Sequence, residues 1–127
     1  MLAKRYRLVR SVDFARVRSA DACWSDRRVV LCRAANGLEC TRFGIITSKN
    51  LGSAVVRNRA RRLVSEVIRL QRERVASGWD VVLIARRGIL RARYGDVERS
   101  LLRVLAQANL LEPARARPGA EVEVTGA

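Results

Sequence analysis

The sequence predicts an α+β fold in which helices pack on one small sheet. Three observations predict it. Short, almost continuously apolar runs alternate with longer segments of helical periodicity, 49% of the 127 residues are hydrophobic, and the elements follow the order α-β-β-α-β-α. A chain of this length and composition is expected to form one domain with a hydrophobic core, which we place at residues 1–111. Residues 112–127 show no core pattern and are predicted to be a disordered tail.

The first half of the chain predicts one helix and two strands. A helix is expected over residues 11–19, with Ser11 as its N-cap. Two apolar runs of strand length follow at residues 28–34 and 42–47, and the turn signal Asn36-Gly37 lies between them. The connection is too long for a two-residue hairpin, but antiparallel pairing of these two strands is still the default expectation.

A long amphipathic helix is predicted from about Ala54 to Val75, with Gly78 closing it. At 100° per residue, its core-facing residues share an arc of about 160°. They are Ala60, Leu63, Val64, Val67, Ile68 and Leu70. The opposite face is polar and basic, and the spacing predicts the ion pairs Arg62–Glu66 and Arg69–Glu73.

The last part of the chain predicts one more strand and one more helix. Residues 79–85 are almost continuously apolar, as expected for a strand that is buried on both faces. A final helix is predicted over residues 94–108, because Val97, Leu101, Leu102, Val104 and Leu105 fall on one side of it.

The formal net charge of +14 indicates a large anionic partner, because a folded core with so much positive charge repels itself. The plainer alternative is a soluble basic protein without such a partner. No run of 18 or more apolar residues is present, and no apolar region follows the basic N-terminus. We therefore expect neither a membrane span nor a secretory signal, and place the protein in the cytoplasm.

The composition also limits the chemistry that this chain can perform. It has no histidine, which excludes Ser-His-Asp triads, Cys-His pairs and histidine general bases. The twelve acidic residues are scattered, so no carboxylate metal site is predicted. Cys23, Cys32 and Cys40 fit no metal-ligand spacing, and we expect them to be reduced, buried thiols. No catalytic residue and no metal ligand is therefore assigned to the chain.

The densest chemistry lies at the head of the long helix, in the run Arg57-Asn58-Arg59-Ala60-Arg61-Arg62. Guanidinium groups stay charged and match phosphate oxygens two at a time. A solvated helix face is the ordinary interpretation of such a run. However, arginine at a helix N-terminus opposes the macrodipole at a cost of roughly 0.3–1 kcal/mol per charge, which favours a binding role. The run therefore predicts a site for RNA or DNA, with Lys49 beside it.

Residues 42–63 resemble the signature of the bacterial ribonuclease P protein subunit. The shared pattern is a strand that ends in Ser48-Lys49, a loop that contains Gly52, and then Ala54-Val55 followed by the Arg57–Arg62 run. The similarity extends over most of residues 4–111, including the first helix with Phe14 and the late strand that ends in Ala85-Arg86.

This resemblance implies a fold of the ribosomal protein S5 domain 2-like type, with a left-handed parallel βαβ crossover around the long helix. It implies a protein subunit of ribonuclease P, which removes the 5′ leader of precursor tRNA. The partners would be the catalytic RNA and the precursor tRNA, with no small-molecule cofactor. The chemistry would belong to Mg²⁺ ions held mainly by the RNA.

The resemblance also assigns roles to residues. The implied RNA-binding residues are Ser48, Lys49, Arg57, Asn58, Arg59, Arg61, Arg62 and Arg69. Phe14 and Cys32 fall at positions of the cleft for the leader. Three positions depart from the common pattern, because Arg18 and Cys32 replace aromatic residues and Ser65 replaces a further arginine. We hypothesise that leader contacts here depend more on charge than on stacking.

Two other functions compete with this interpretation. A ribosomal or RNA-chaperone protein of the same fold would bind RNA without supporting cleavage. A stand-alone protein nuclease is the third possibility, and the absence of a histidine base and of clustered metal ligands argues against it.

Overall fold

A computed structural model describes residues 2–20 and 22–112 of the chain. Over these residues it shows an α+β fold with three α-helices and one four-stranded sheet, which confirms the predicted fold class. The elements are α1 (Ser11–Ser19), β1 (Cys23–Ser25), β2 (Val29–Ala35), β3 (Arg42–Ile46), α2 (Ala54–Gln71), β4 (Trp79–Ala85) and α3 (Tyr94–Gln107). The predicted tail lies outside the described residues from residue 113 onward.

The strand order in the sheet is β1-β2-β4-β3. The predicted antiparallel pairing of the first two apolar runs is therefore wrong, because β4 lies between β2 and β3. β4 pairs antiparallel with β2 and parallel with β3. It is the most continuously apolar strand, and burial on both faces places it in the centre of the sheet. β3, α2 and β4 form the parallel βαβ unit that the resemblance implies. The left-handedness of its crossover connection stays a prediction.

Helix and strand boundaries differ from the sequence expectation in a few places. β1 was not predicted, because three residues are too few to show an alternating pattern. Ser11 is the first residue of α1 and not its cap, since Arg10 precedes the helix without a side-chain cap hydrogen bond. Ser53 caps α2 by accepting a hydrogen bond from the Val56 amide. Gly78, with φ of 91°, forms the turn into β4 instead of closing α2, which ends at Gln71.

The core lies on both faces of the sheet. On one face, α2 and α3 pack against Leu31, Phe43, Val81 and Leu83. On the other face, α1 places Val17 against Leu8, Cys32 and Val82. The predicted core face of α2 is confirmed for Ala60, Val64, Val67 and Ile68, which are buried, and Leu63 is partly buried. Leu70 is 55% exposed, contrary to the prediction, because it lies at the edge of the predicted arc.

A buried carboxylate ties α1 to the sheet. Asp80 on β4 is fully buried and accepts hydrogen bonds from Arg42 Nε (2.9 Å) and Arg42 Nη2 (2.7 Å). Asn36 Nδ2 donates to the same carboxylate at 2.9 Å, and Arg16 from α1 pairs with it. Burial raises the pKa of Asp80, but the hydrogen bonds from Arg42 and Asn36 and the nearby arginine charges outweigh it and hold the pKa below 3.8.

Two of the cysteines are joined, so the expectation of three reduced thiols is wrong. Cys23 of β1 and Cys32 of β2 face each other in the antiparallel ladder, with their Cα atoms 4.1 Å apart, and form a disulfide. Non-hydrogen-bonded pairs in an antiparallel ladder bring Cα atoms this close. Cys40 is a free, half-buried thiol. The pairing depends on the register of β1, which the sequence did not reveal.

Candidate nucleic-acid interface

The basic run lies on the first two turns of α2, beside the carboxyl ends of β3 and β4. The helix begins there because Ser53 caps it and because Gly52, at φ of 139°, lets the loop from β3 turn back. Asn58, Arg59, Arg61 and Arg62 are exposed, and Arg57 is half-buried. These side chains differ in their contacts, because some of them are hydrogen-bonded to other residues of the chain.

Arg59 and Arg61 are anchored to the protein backbone. Arg59 Nη2 donates to the carbonyl oxygen of Ala92 at 2.7 Å, which holds the segment before α3 against α2. Arg61 donates to the carbonyl oxygen of Ile45 at 2.9 Å and to Thr47 Oγ1 at 2.6 Å, which holds the end of β3. Each guanidinium keeps further N–H groups for a ligand, but its position is fixed by the fold.

Arg57, Asn58 and Arg62 have no side-chain hydrogen bond or ion pair within residues 2–20 and 22–112. Asn58 and Arg62 are exposed, Arg57 is half-buried, and all three lie beside two anchored guanidinium groups. Unpaired guanidinium and amide donors on a rigid helix are suited to phosphate oxygens, since no internal partner must be released before they bind.

Arg69 differs from the other predicted RNA-binding residues. It pairs with Glu66 one turn earlier, and its Nε lies 3.1 Å from Glu66 Oε2. The hydrogen bond from Arg69 lowers the pKa of Glu66, and the same bond raises the pKa of Arg69. The predicted pairs Arg62–Glu66 and Arg69–Glu73 are therefore replaced by a pair at i,i+3. Arg69 reaches the solvent, but its charge is partly balanced.

Ser48 and Lys49 lie at the end of β3, in the loop that leads to α2. Both are exposed, and Lys49 starts a short 3₁₀ turn, Lys49–Leu51, that buries Leu51 in the core. This anchor places Lys49 near the N-terminus of α2, as the sequence predicted. The structure therefore brings the predicted basic residues of the loop and of the helix to one end of the molecule.

Phe14 lines a groove of about 810 Å³ between the N-terminal segment, β3 and α2. The polar lining comes from Arg7, Asn58, Arg61, Arg62, Ser65 and Glu66. The apolar lining comes from Leu2, Leu8, Val9, Phe14, Phe43, Gly44 and Ile45. The wall formed by α2 therefore carries guanidinium, amide and hydroxyl groups and one carboxylate, Glu66, which is paired with Arg69. The floor is apolar, so the groove suits a nucleotide with a flat base and a charged phosphate.

Gly44 lets the ring of Phe14 approach the backbone of the sheet closely. A Cβ atom at position 44 would lie 2.4 Å from Phe14 Cε1 and 2.5 Å from Phe14 Cζ, closer than real contacts allow. Cys32 does not line this groove, contrary to the expectation for a cleft residue. It is only 3% exposed, lies beneath α1 and is bonded to Cys23.

The resemblance implies that this groove holds the 5′ leader of precursor tRNA, and on that expectation Phe14→Ala should lower the affinity for a leader-bearing precursor tRNA by less than about fivefold. A full base stack contributes about 1–3 kcal/mol, whereas Phe14 already uses part of its ring to pack on Gly44. The measurement is the ratio of affinities for precursor and mature tRNA. Gly44→Ala serves as the control, since it displaces the ring without removing it. A loss of thirtyfold or more with Phe14→Ala would contradict the hypothesis that charge dominates leader contacts.

Sequence reasoning missed several residues of this region. Gly44 and Arg7 contribute to the groove, and a glycine inside a strand was the available signal for Gly44. Tyr94, the first residue of α3, lines a smaller cavity of about 330 Å³ with Arg59, Arg62, Leu63 and Glu66. Its hydroxyl group is buried without a hydrogen-bond partner in the described part of the chain, and burial raises its pKa.

Residues 2–20 and 22–112 contain no group of three or more His, Cys, Asp or Glu side chains placed to hold a metal ion. Over the same residues, no helix is both long enough and apolar enough to cross a membrane. The polar lining of the groove consists of cationic, amide and hydroxyl groups and the Glu66 carboxylate, around an apolar floor.

The arginine run on α2, the loop from β3 and the groove with Phe14 agree with one known family. The sequence profile of Ribonuclease P matches residues 2–109. The chain belongs to the ribonuclease P protein family. A ribonuclease P protein component from Herpetosiphon aurantiacus is 40% identical over 98 residues, which are 77% of this chain and 80% of the relative.

Solved structures agree with this assignment. A mutant RNase P protein from Staphylococcus aureus superposes with a TM-score of 0.80 at 28% identity, over 85% of this chain and 92% of the other. The RNase P protein from Thermotoga maritima gives a TM-score of 0.73 at 27% identity, over 80% and 96% of the two chains. As a member of this family, the chain is the protein part of a ribonucleoprotein endoribonuclease that matures the 5′ ends of tRNA.

Proposed function

We propose that this chain binds the catalytic RNA of ribonuclease P through the N-terminal half of α2 and the loop at Ser48 and Lys49. One observation carries the proposal. Arg57, Asn58 and Arg62 present donors that have no partner in the part of the chain that the structure describes, and Arg59 and Arg61 beside them are fixed by backbone carbonyl groups. Rigidly held guanidinium groups neutralise phosphate charge and release counterions, so binding should weaken steeply with salt.

The groove with Phe14 is proposed to hold the 5′ leader of the precursor tRNA. Its apolar floor accepts a base, and Arg61 and Arg62 on the opposite wall neutralise the phosphate groups that follow. Ser65 is half-buried on this wall and leaves room that a longer side chain would fill. The leader would thus lie next to the surface that binds the catalytic RNA.

The protein residues are proposed to act by positioning and not by chemistry. The described residues do not form a metal site, so we assign the Mg²⁺ ions to the RNA. When bound there, Mg²⁺ supplies an activated water and stabilises the leaving oxygen. The arginine residues lower the repulsion between the two RNA molecules, which reduces the concentration of Mg²⁺ that the complex requires.

The test is single-turnover cleavage of a precursor tRNA by bacterial ribonuclease P RNA at low Mg²⁺, with and without this protein. We expect the protein to restore accurate 5′ cleavage, the variant Arg57→Gln/Arg62→Gln to restore much less, and the protein alone to cleave nothing. Binding of the RNA without any gain in cleavage would favour a ribosomal or RNA-chaperone role. Cleavage by protein alone, lost on treatment with EDTA, would favour a protein nuclease.

A further inference from the structure

We propose that a second basic surface of this chain, separate from α2, binds an RNA phosphodiester backbone. This basic belt consists of Arg27, Arg28, Arg86, Arg87, Arg91, Arg93 and Arg103. None of these residues was among the site residues predicted from the sequence. The proposal rests on the proposed function, since it adds a second RNA contact to the same protein.

Contacts between three segments bring the belt together. The Arg86 amide donates to the carbonyl oxygen of Arg28 at 2.8 Å, which joins the end of β4 to the turn between β1 and β2. The backbone at Gly88 lies so close to this turn that a Cβ atom there would be 2.3 Å from the Arg27 carbonyl oxygen. Arg103 on α3 reaches the same turn, with its Nη1 3.2 Å from Asp26 Oδ2. Residues far apart in the sequence therefore form one surface.

The belt adjoins the arginine run of α2. Arg59 binds the carbonyl oxygen of Ala92, which lies between Arg91 and Arg93. Arg87 Nη1 lies 3.4 Å from the carbonyl oxygen of Asn50, next to Lys49. An RNA strand bound at α2 could thus continue over the carboxyl ends of β3 and β4 onto the belt.

Two acidic residues lie near the belt, and they bind arginine residues other than Arg27 and Arg91. Asp26 accepts hydrogen bonds from the Arg28 amide (2.8 Å) and the Val29 amide (3.0 Å), and it pairs with Arg103 of the belt at 3.2 Å. Asp96 accepts a hydrogen bond from the Arg93 amide at 3.0 Å and pairs with Arg99. Within the described residues, the side chains of Arg27 and Arg91 have no hydrogen bond or ion pair, and both are exposed. Their charge is available to a ligand.

The chemistry of the belt favours RNA over a protein or a lipid surface. The large hydrophobic residues that are exposed in the described part of the chain are Val9, Val12, Leu38, Val55 and Leu70, and none of them belongs to the belt. The centres of protein interfaces and the amphipathic helices that bind membranes use apolar anchors, whereas a phosphodiester backbone is bound by spaced cations.

The test compares two double variants that each remove two positive charges. The belt variant is Arg27→Gln/Arg91→Gln. The matched control is Lys4→Gln/Arg5→Gln, at the exposed 3₁₀ turn Lys4–Tyr6, whose Tyr6 ring lies 4.1 Å from Arg72 beyond the far end of α2. Affinity is measured over a series of salt concentrations, with ribonuclease P RNA alone in one arm and with precursor tRNA added to the complex in the other. Thermal unfolding confirms that both variants fold.

The belt variant is expected to bind about tenfold more weakly than the control, with a salt slope lower by about 2, because two phosphate contacts are lost. If the belt variant loses affinity for ribonuclease P RNA alone, that RNA is the ligand of the belt. If it loses affinity only after precursor tRNA is added, the precursor is the ligand. Equal affinity of belt variant and control in both arms would overturn the inference. Arg57→Gln/Arg62→Gln is run alongside, and its unchanged binding would instead count against the proposed function.

Discussion

Asp80→Ala is expected to lower the free energy of unfolding by about 3 kcal/mol, the lower end of the range for breaking a buried ion pair. The substitution leaves Arg42 without its two-point partner and removes the carboxylate that binds Arg16 of α1. The lower end applies because Arg16 is 41% exposed and can regain water. Since α1 carries Phe14, we also expect leader binding to weaken, measured as the ratio of affinities for precursor and mature tRNA.

The pH dependence of the free energy of unfolding distinguishes the contribution of the Asp80 charge from the contribution of its side-chain packing. Because the pKa of Asp80 in the folded protein lies below its ordinary value of 3.8, its charge stabilises the fold fully above that value. This contribution is lost as the pH falls through the lower pKa of the folded state. Denaturant unfolding of wild type and Asp80→Asn between pH 2 and 7 measures it.

We expect the difference in stability between wild type and Asp80→Asn to shrink as the pH falls below 3.8. Asp96→Asn is the exposed comparison. The Arg93 amide lowers the pKa of Asp96 as well, so its difference from wild type should shrink over the same pH range, but from a smaller value, because this carboxylate is partly exposed. A constant difference across the whole range would show that Asp80 stabilises the fold without its charge.

The variant Arg57→Gln/Arg62→Gln is expected to bind ribonuclease P RNA about 100-fold more weakly, with unchanged thermal stability. Each residue would lose one charge-assisted hydrogen bond of about 1.5 kcal/mol, and two such bonds correspond to about two powers of ten. No protein hydrogen bond is lost, because neither side chain has a partner within the described residues.

Arg59→Gln/Arg61→Gln is the matched control, since it removes the same charge from the same helix. Here the carbonyl oxygen atoms of Ala92 and Ile45 lose their donors, so we expect unfolding to become easier by about 1–2 kcal/mol. RNA affinity should fall by no more than about tenfold. Equal losses of affinity with both variants, at equal stability, would refute the division between anchored and free arginine residues.

The helices and the central strand could be predicted from the sequence because their signals are local. The apolar arc of α2, the apolar run of β4 and the side-chain pattern of α3 depend on residues a few positions apart. The arginine run was equally visible, since its residues are consecutive.

Other features depended on pairs of residues that are distant in the chain. The position of β4 between β2 and β3 follows from which strands bury each other, and no short pattern records it. The disulfide between Cys23 and Cys32 required the register of a strand of three residues. The predicted reduced thiols were wrong for this reason.

The sequence by itself determined the fold class, the charge and the run of arginine side chains on α2, because composition and periodicity are properties of consecutive residues. The tertiary structure alone decided which arginine residues are anchored and which are free. It also decided that Phe14 rests on Gly44, that Arg86 contacts the turn at Arg28, and that Ala92, next to Arg91, contacts Arg59 of α2. These arrangements arise from contacts between residues that are far apart in the sequence, such as Phe14 with Gly44 and Arg59 with Ala92.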